Sequence, residues 1–367
     1  MFLRELRLIN FKNYEDGILY PTEGINCIVG ENGSGKTNLL DAIHYLSYTK
    51  SAFNSIDTQN IRHNSNFFSL ISRVELNQKE VPISCSLKKG AKKVFKFDEQ
   101  EYEKLSEHIG RFPTVLIAPN DNDLVRGGSE PRRKYFDSII SQLDQDYLRN
   151  LINYNHNLRQ RNSLLKYFRD NLETDHDLIA PYNKILLEKG QAIYDRRVTF
   201  FERYLPLFTN NYKSIAEGKE EASIDFSSQF SNDEPGDILE SLFSRDMESQ
   251  RTFFGIHKDK WTFLINNDNM KQFGSQGQQK TFVIALKTAE FDLLKNEKGF
   301  YPILLLDDIF DKLDDARINN LMHLMTDNSF GQIFLTDARP ERTKSILSQL
   351  KLTGNFIKVE NGTFSKK

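Results

Sequence analysis

The chain has 367 residues, enough for one large domain or two. Hydrophobic residues make up 38% and charged residues 27%, which is compatible with a buried core; a net charge of −2 excludes a uniformly basic surface, so any basic surface must be local. The two cysteines, Cys27 and Cys85, have no metal-like spacing and read as free thiols of a reducing compartment. No apolar run approaches the roughly 18–20 residues that a bilayer demands. The start MFLRELRLINF alternates charge and apolarity, unlike a secretory leader, so a cytoplasmic protein with no membrane partner is expected.

Leu3 to Phe11 alternates and predicts a half-buried strand. INCIVG, residues 25–30, is a short apolar run ending in glycine and predicts a central strand. TNLLDAIHYLSY then places Leu39, Leu40, Ile43 and Leu46 at helical spacing. Residues 67–99 predict strands joined by turns, and TVLIA, 114–118, a buried strand stopped by Pro119. From about Pro131 to Gly218 strand signals vanish. Two helical stretches, separated by Glu173 to Asp177, predict an antiparallel hairpin. Each arm would be roughly 40 Å long, either projecting from a compact domain or packed as a subdomain. Strand character returns in ASIDFSS and in WTFLINNDNMKQF, with a turn at Asn266 to Asn269. YPILLLDD, 301–308, and GQIFLTD, 331–337, predict buried strands, and NFIKVENGTF a closing hairpin. The expected fold class is α/β, split by a helical insertion: residues 1–120 and 223–367 form one domain, and 121–222 a helical lobe.

The strand at 25–30 runs into Gly30-Glu31-Asn32-Gly33-Ser34-Gly35-Lys36-Thr37, with Asn38 next, and a helix follows. This is G-x-x-x-x-G-K-T in its required setting of strand, loop and helix. Glycines let backbone N–H groups turn onto phosphate oxygens, and the helix N-terminus adds partial positive charge. Lys36 would reach the β- and γ-phosphates of ATP, and Thr37 would hold Mg²⁺. Such a loop needs a second strand that delivers a carboxylate. YPILLLDD does so, with Asp307 expected on Mg²⁺ and Asp308 as the group that positions or deprotonates the attacking water. Leu313-Asp314-Asp315 makes another acidic turn.

FGSQGQQKTF, residues 273–282, sets a hydroxyl, a flexible backbone and an amide at the start of a helix. Ser275, Gly277 and Gln278 thus form a second candidate anion site. One nucleotide does not need two such sites from one chain. Two copies packed head to tail would use both.

At this point the sequence resembles the ABC-type ATPase superfamily, whose signature has the form Ser-x-Gly-Gln. Within its SMC-like branch it resembles the RecF family over nearly the whole length. The likeness rests on LRLINFKNYED, GENGSGKTNLLDAI, RGGSEPRRKYFD, NLRQRNSLLK, FFGIHKDKW, GSQGQQK and LLLDDIFDKLDD. The Arg-Arg-x-x-x-Asp stretch at 132–137 and Arg-Gln-Arg-Asn at 159–162 are the more family-specific parts. The resemblance implies an ABC-type ATPase head and an ATP-driven homodimer, with weak DNA-stimulated turnover. It implies binding to single- and double-stranded DNA at gaps and junctions. It implies work with RecO and RecR to help load RecA in repair, replication restart and SOS induction. It also implies that Asn13 approaches the nucleotide. Departures are Asp308 where the superfamily has Glu, Thr336 and Asp337 at the switch position, and Gly255-Ile256-His257-Lys258-Asp259 where Gly-Pro-His-Arg-Asp is usual. His257 fits a structural hydrogen-bonding role. Local basic candidates are Arg132, Arg133, Lys134, Arg159, Arg161 and Lys166. A transporter motor subunit and a slowly hydrolysing nucleotide-switch scaffold are the competing readings.

Overall fold

The structure is a computed structural model that describes residues 1–172, 174–232, 234–309 and 330–366. It divides into two units: Met1–Asn122 with Asn211–Lys219 and Gln276–Lys367, and Asp123–Asn210 with Glu220–Ser275.

The first unit opens with β1 (Phe2–Phe11), β2 (Tyr14–Leu19), β3 (Gly24–Val29) and α1 (Lys36–Tyr48). It continues with β4 (Phe67–Leu76), β5 (Lys79–Lys88), β6 (Val94–Phe97), β7 (Gln100–Glu101) and β8 (Thr114–Ile117). The second unit holds α2 (Asn122–Arg126), α3 (Ser129–Leu143), α4 (Gln145–Asn171) and most of α5 (His176–Ile215). It adds β9 (Ala222–Ser227), α6 (Pro235–Ser241), α7 (Phe243–Ser249), β10 (Lys260–Ile265), β11 (Asp268–Asn269) and α8 (Met270–Phe273). The chain returns to the first unit with α9 (Gln276–Lys298), β12 (Ile303–Leu306), β13 (Gln332–Asp337), α10 (Pro340–Gln349), β14 (Gly354–Glu360) and β15 (Thr363–Lys366).

The first unit has two sheets. One is antiparallel, in the order β2-β1-β4-β5-β6-β7. Its alternation is the one expected at the N-terminus: Leu6 and Leu8 point into the core and Arg7 out. The other has the order β15-β14-β3-β13-β12-β8, parallel except for β15. Helix α1 contacts β5 of the first sheet and both β8 and β13 of the second. Its buried Leu39, Leu40, Ala42, Ile43, Tyr45 and Leu46 leave no wholly polar face, as a helix between two sheets requires. These side chains join a large apolar core of this unit, with Leu6 and Leu8 on one side and Phe334 and Val359 on the other. The parallel register pairs Val29 with Asp337 and Leu335 with Leu306. Gly30, Asp307 and Asp337 therefore gather at one edge, the carboxyl ends of the strands, where open α/β sheets bind ligands.

The second unit contains the helical hairpin. Arg161 on α4 meets Asn183 on α5, and Tyr147 meets Arg197, an antiparallel register. Asp144 caps α4, accepting from the N–H groups of Asp146 and Tyr147. Helix α5 is longer than expected, 40 residues or roughly 60 Å, and runs through Pro181 and Pro206. The division falls at 122/123, two residues from the expected 120/121, and at 219/220 and 275/276 where one boundary at 222/223 was expected. Residues 223–275, expected in the ATPase part, pack with the long helices and add most of a three-stranded sheet, β11-β10-β9. Asn211–Lys219, expected in the lobe, belongs to the first unit. The reason is an aromatic cluster remote in sequence: Trp261 lies 4.1 Å from Phe136 and 4.3 Å from Phe226, centroid to centroid. The turn expected at 266–269 forms, with Asn266 and Asn267 in the left-handed region as a two-residue hairpin demands. The arm after it stops at Asn269, whose side chain accepts from Lys271 N–H and starts α8 instead.

Candidate nucleotide site

The loop between β3 and α1 is held from below by side chains that no local pattern marks. Asn13 donates from Nδ2 to the Ser34 carbonyl at 2.9 Å and accepts from Asn38 Nδ2 at 2.8 Å. The Tyr14 hydroxyl donates to the Gly35 carbonyl at 2.9 Å. Gly35 has φ +117, and a Cβ there would lie 2.4 Å from Asn13 Nδ2, so only glycine fits. At Gly30 a Cβ would lie 2.3 Å from the Val359 carbonyl oxygen. The loop is thus built against its neighbours and not merely flexible. Lys36 is buried, and its Nζ donates to the carbonyls of Gly30 at 2.9 Å and Glu31 at 3.0 Å.

Asp307 sits just past β12, as expected, and meets the loop. Thr37 Oγ1 donates to its carboxylate at 2.9 Å, and Thr336 Oγ1 donates at 2.8 Å. Burial pushes the Asp307 carboxyl above the ordinary carboxylate range, opposed by the two hydroxyls and the Lys36 charge. Thr336 also accepts from the Asp308 N–H at 2.9 Å. Asp308 holds φ +45, a left-handed backbone that a non-glycine residue adopts at some cost. So Thr336, at the switch position, braces both aspartates. Asp337 serves the following helix instead, its carboxylate accepting from Arg339 N–H and Thr343 Oγ1 where α10 starts.

The residues present fit a phosphate chain and a hard divalent cation. Ser34 Oγ is buried and has no hydrogen-bond partner among the described residues, which marks a place for an acceptor from outside the chain. Thr37 and Asp307 offer adjacent hard oxygens. No group of three or more His, Cys, Asp or Glu suited to a metal occurs among the described residues, so a cation here leans on ligand oxygens or water for its other contacts. Beside the loop opens a groove of about 900 Å³, lined by Lys12, Asn13, Thr37, Asn38, Phe53 and Ile61 among others. Lys12 is held there by Asp41 of α1 at 2.6 Å, which also accepts from Ser51 Oγ and Ala52 N–H.

Ser275 is exposed immediately before α9, and Gly277 and Gln278 are half-buried in its first turn. Their role toward a nucleotide of another copy belongs to the proposal below. Leu313, Asp314 and Asp315 lie outside the described residues.

The family-specific basic stretches are structural in large part. Arg132 is buried and donates to the carbonyls of Leu124, Val125 and Trp261. Arg161 is fully buried against Asp246 at 2.7 Å. Asp137 closes the first stretch and pairs with Arg197, which also binds Asp259 at 2.6 Å. Arg132 and Arg161 therefore drop out of the local basic candidates: their guanidinium groups are buried inside the unit. Lys134, Arg159 and Lys166 are exposed. His257 takes the structural role anticipated for it, between the Tyr154 hydroxyl at 2.8 Å and the Thr252 carbonyl at 2.9 Å.

Known proteins match this arrangement over its whole length. The family described as RecF/RecN/SMC N terminal domain matches residues 2–359. The DNA replication and repair protein RecF of Flavobacterium johnsoniae is 44% identical over 96% of this chain and 98% of its own. The protein of that name from Cytophaga hutchinsonii is 45% identical over 94% of this chain and 91% of its own. A solved structure of the recombination mediator protein RecF with ATPrS, in the RecFOR pathway, superposes with a TM-score of 0.90 at 28% identity. It covers 100% of this chain and 98% of that one. With a glycine loop pinned by Asn13 and Tyr14, a braced aspartate and full-length likeness in agreement, the chain belongs to the RecF family within the RecF/RecN/SMC group.

Proposed function

We propose that the chain is an ATP-dependent, DNA-binding recombination mediator of RecF type in the cytoplasm. It pairs with a second copy when ATP is bound and holds gapped or junction DNA. With RecO and RecR it helps RecA onto single strands. The observation that carries the ATP reading is the buried, unpartnered Ser34 hydroxyl in a loop whose Thr37 touches Asp307. Gly30 to Lys36 would cradle the phosphates with backbone N–H groups, and Lys36 would exchange its carbonyl partners for phosphate oxygens. Thr37 and Asp307 would hold Mg²⁺, whose charge would offset that of the phosphates. The groove at Asn13 and Phe53 offers amides and an apolar face for the nucleoside. Asp308, set by Thr336, would orient the attacking water. Its short side chain supports slow turnover, the switch-like limit of the same reading. The full-length likeness to RecF proteins gives the transporter motor no support.

Ser275, Gly277 and Gln278 would complete the site on a second copy. Light scattering tests this. The chain is expected to double in mass on adding ATP and Mg²⁺. Ser275→Arg should bind ATP but stay monomeric, and Lys36→Met should lose ATP binding itself. A full ATP-driven dimer of Ser275→Arg would sink the trans arrangement.

A further inference from the structure

Four segments that the nucleotide site does not use converge on one loop of the second unit, residues 251–259. Asn162 accepts from both Thr252 N–H and Thr252 Oγ1. Asp246, itself fixed by Arg161, accepts from Phe253 N–H at 2.8 Å. Gln229 accepts from Gly255 N–H at 2.9 Å, and His257 is pinned by Tyr154. Arg133 donates to the Asp259 carbonyl at 2.8 Å at the far end. A loop tied by so many side chains is rigid, and rigidity points to something held in place.

What it holds is positive charge. The Arg245 guanidinium lies 4.1 Å and the Lys258 ammonium 4.7 Å from the centroid of the Phe253 ring. Arg245 and Arg251 are exposed, and Arg133 and Lys258 half-buried. The carboxylates within reach are already taken: Asp246 by Arg161, Asp259 and Asp137 by Arg197, and Glu130 by Lys134. After burial, the neighbouring charges of Arg133, Arg251 and Arg245 act together to lower the Lys258 pKa, with Asp246 opposing. A chain of net charge −2 has gathered four cations on one fixed platform.

We propose that Arg133, Arg245, Arg251 and Lys258 form a binding surface for the phosphodiester backbone of DNA. Cations cover the Phe253 ring, so the surface favours backbone contact over base stacking. This rests on the DNA-binding reading above and names the residues that carry it.

The test uses the full chain with ATP and Mg²⁺ and a fluorescent duplex bearing a single-stranded gap. Binding is titrated across a range of salt concentrations. Arg245→Gln/Arg251→Gln is expected to lower the slope of log affinity against log salt by about two and to weaken binding about tenfold near physiological salt. ATP affinity should not change. Lys89→Gln/Lys92→Gln, a charge-matched exposed pair on the turn between β5 and β6, should leave the slope intact. If the parent binds the gapped duplex and Arg245→Gln/Arg251→Gln binds it equally well with the same slope, the surface is wrong while DNA binding stands. An equal loss in both double variants would also overturn it, since general charge would then be the cause. A parent that binds no DNA overturns the DNA reading and the surface together.

Discussion

Asp307 shows how a site residue works against the fold that carries it. Its folded carboxyl holds a proton more readily than an unfolded one, because burial outweighs the hydroxyls of Thr336 and Thr37. The stability linked to this group is therefore intact below the ordinary carboxylate pKa. It is lost as pH rises through the folded value. At neutral pH the ionised carboxylate is a net cost, which a cation held as proposed would offset. Asp307→Asn cannot ionise and keeps a carbonyl for Thr37. It is expected to be more stable than the parent without nucleotide, by about 1 kcal/mol, and to lose the extra stabilisation that ATP with Mg²⁺ gives the parent. Scanning calorimetry with and without ATP measures both, and a nucleotide-free melt below the parent's would contradict the account. Thr336→Val removes the brace shared by Asp307 and Asp308 and leaves the Asp308 N–H without its acceptor. A loss of about 1–3 kcal/mol is expected. The catalytic signature is separate: kcat should fall more than KM rises, and Thr336→Ser should restore it.

At the scale of elements, α5 owes its seat to one buried cation. Burial works against the Arg197 charge, yet Asp137, Tyr147 and Asp259 outweigh it and hold the pKa well above the usual value. Arg197→Met would leave two carboxylates short of their partner, a loss of about 3–5 kcal/mol. Hydrogen exchange should speed up in residues 123–210 and 220–275, while ATP still binds at the β3–α1 loop. Unchanged exchange there would mean that the pair is dispensable. None of this was legible in the sequence. The glycine loop between β3 and α1 was, because its spacing, its glycines and the apolar strand before it are all local, and so was the place of Asp307 at the end of β12. A buried arginine looks like a surface arginine to any periodicity argument, so Arg132 and Arg161 stood among the local basic candidates. Residues 220–275 carry ordinary strand and turn signals. What places them with the long helices is Trp261 against Phe136, a contact so remote in numbering that no local window contains it.

The whole molecule should weaken in mild acid for a reason that lies outside the nucleotide site. His108 is wholly buried, its Nε2 donating to the Leu46 carbonyl at 2.7 Å, and burial lowers its pKa to about 4. In the second unit burial likewise lowers His257 to about 4. An unfolded histidine takes its proton near pH 6.5. Between about 6.5 and 4 the unfolded chain therefore binds more protons than the folded one, and stability falls as pH falls through that window. Above it the contribution is complete. For the fully buried His108 the loss by pH 5 amounts to ~2 kcal/mol. His108→Gln keeps a donor for Leu46 but cannot titrate. It is expected to be less stable than the parent at pH 7.5, because the ring also packs 4.3 Å from Phe95, yet to lose less on acidification. Denaturation midpoints at pH 7.5 and pH 5 for both proteins decide the matter. The difference between the two pH values should be smaller in the variant; an identical drop would assign the acid sensitivity to other groups, with His257 the next to replace.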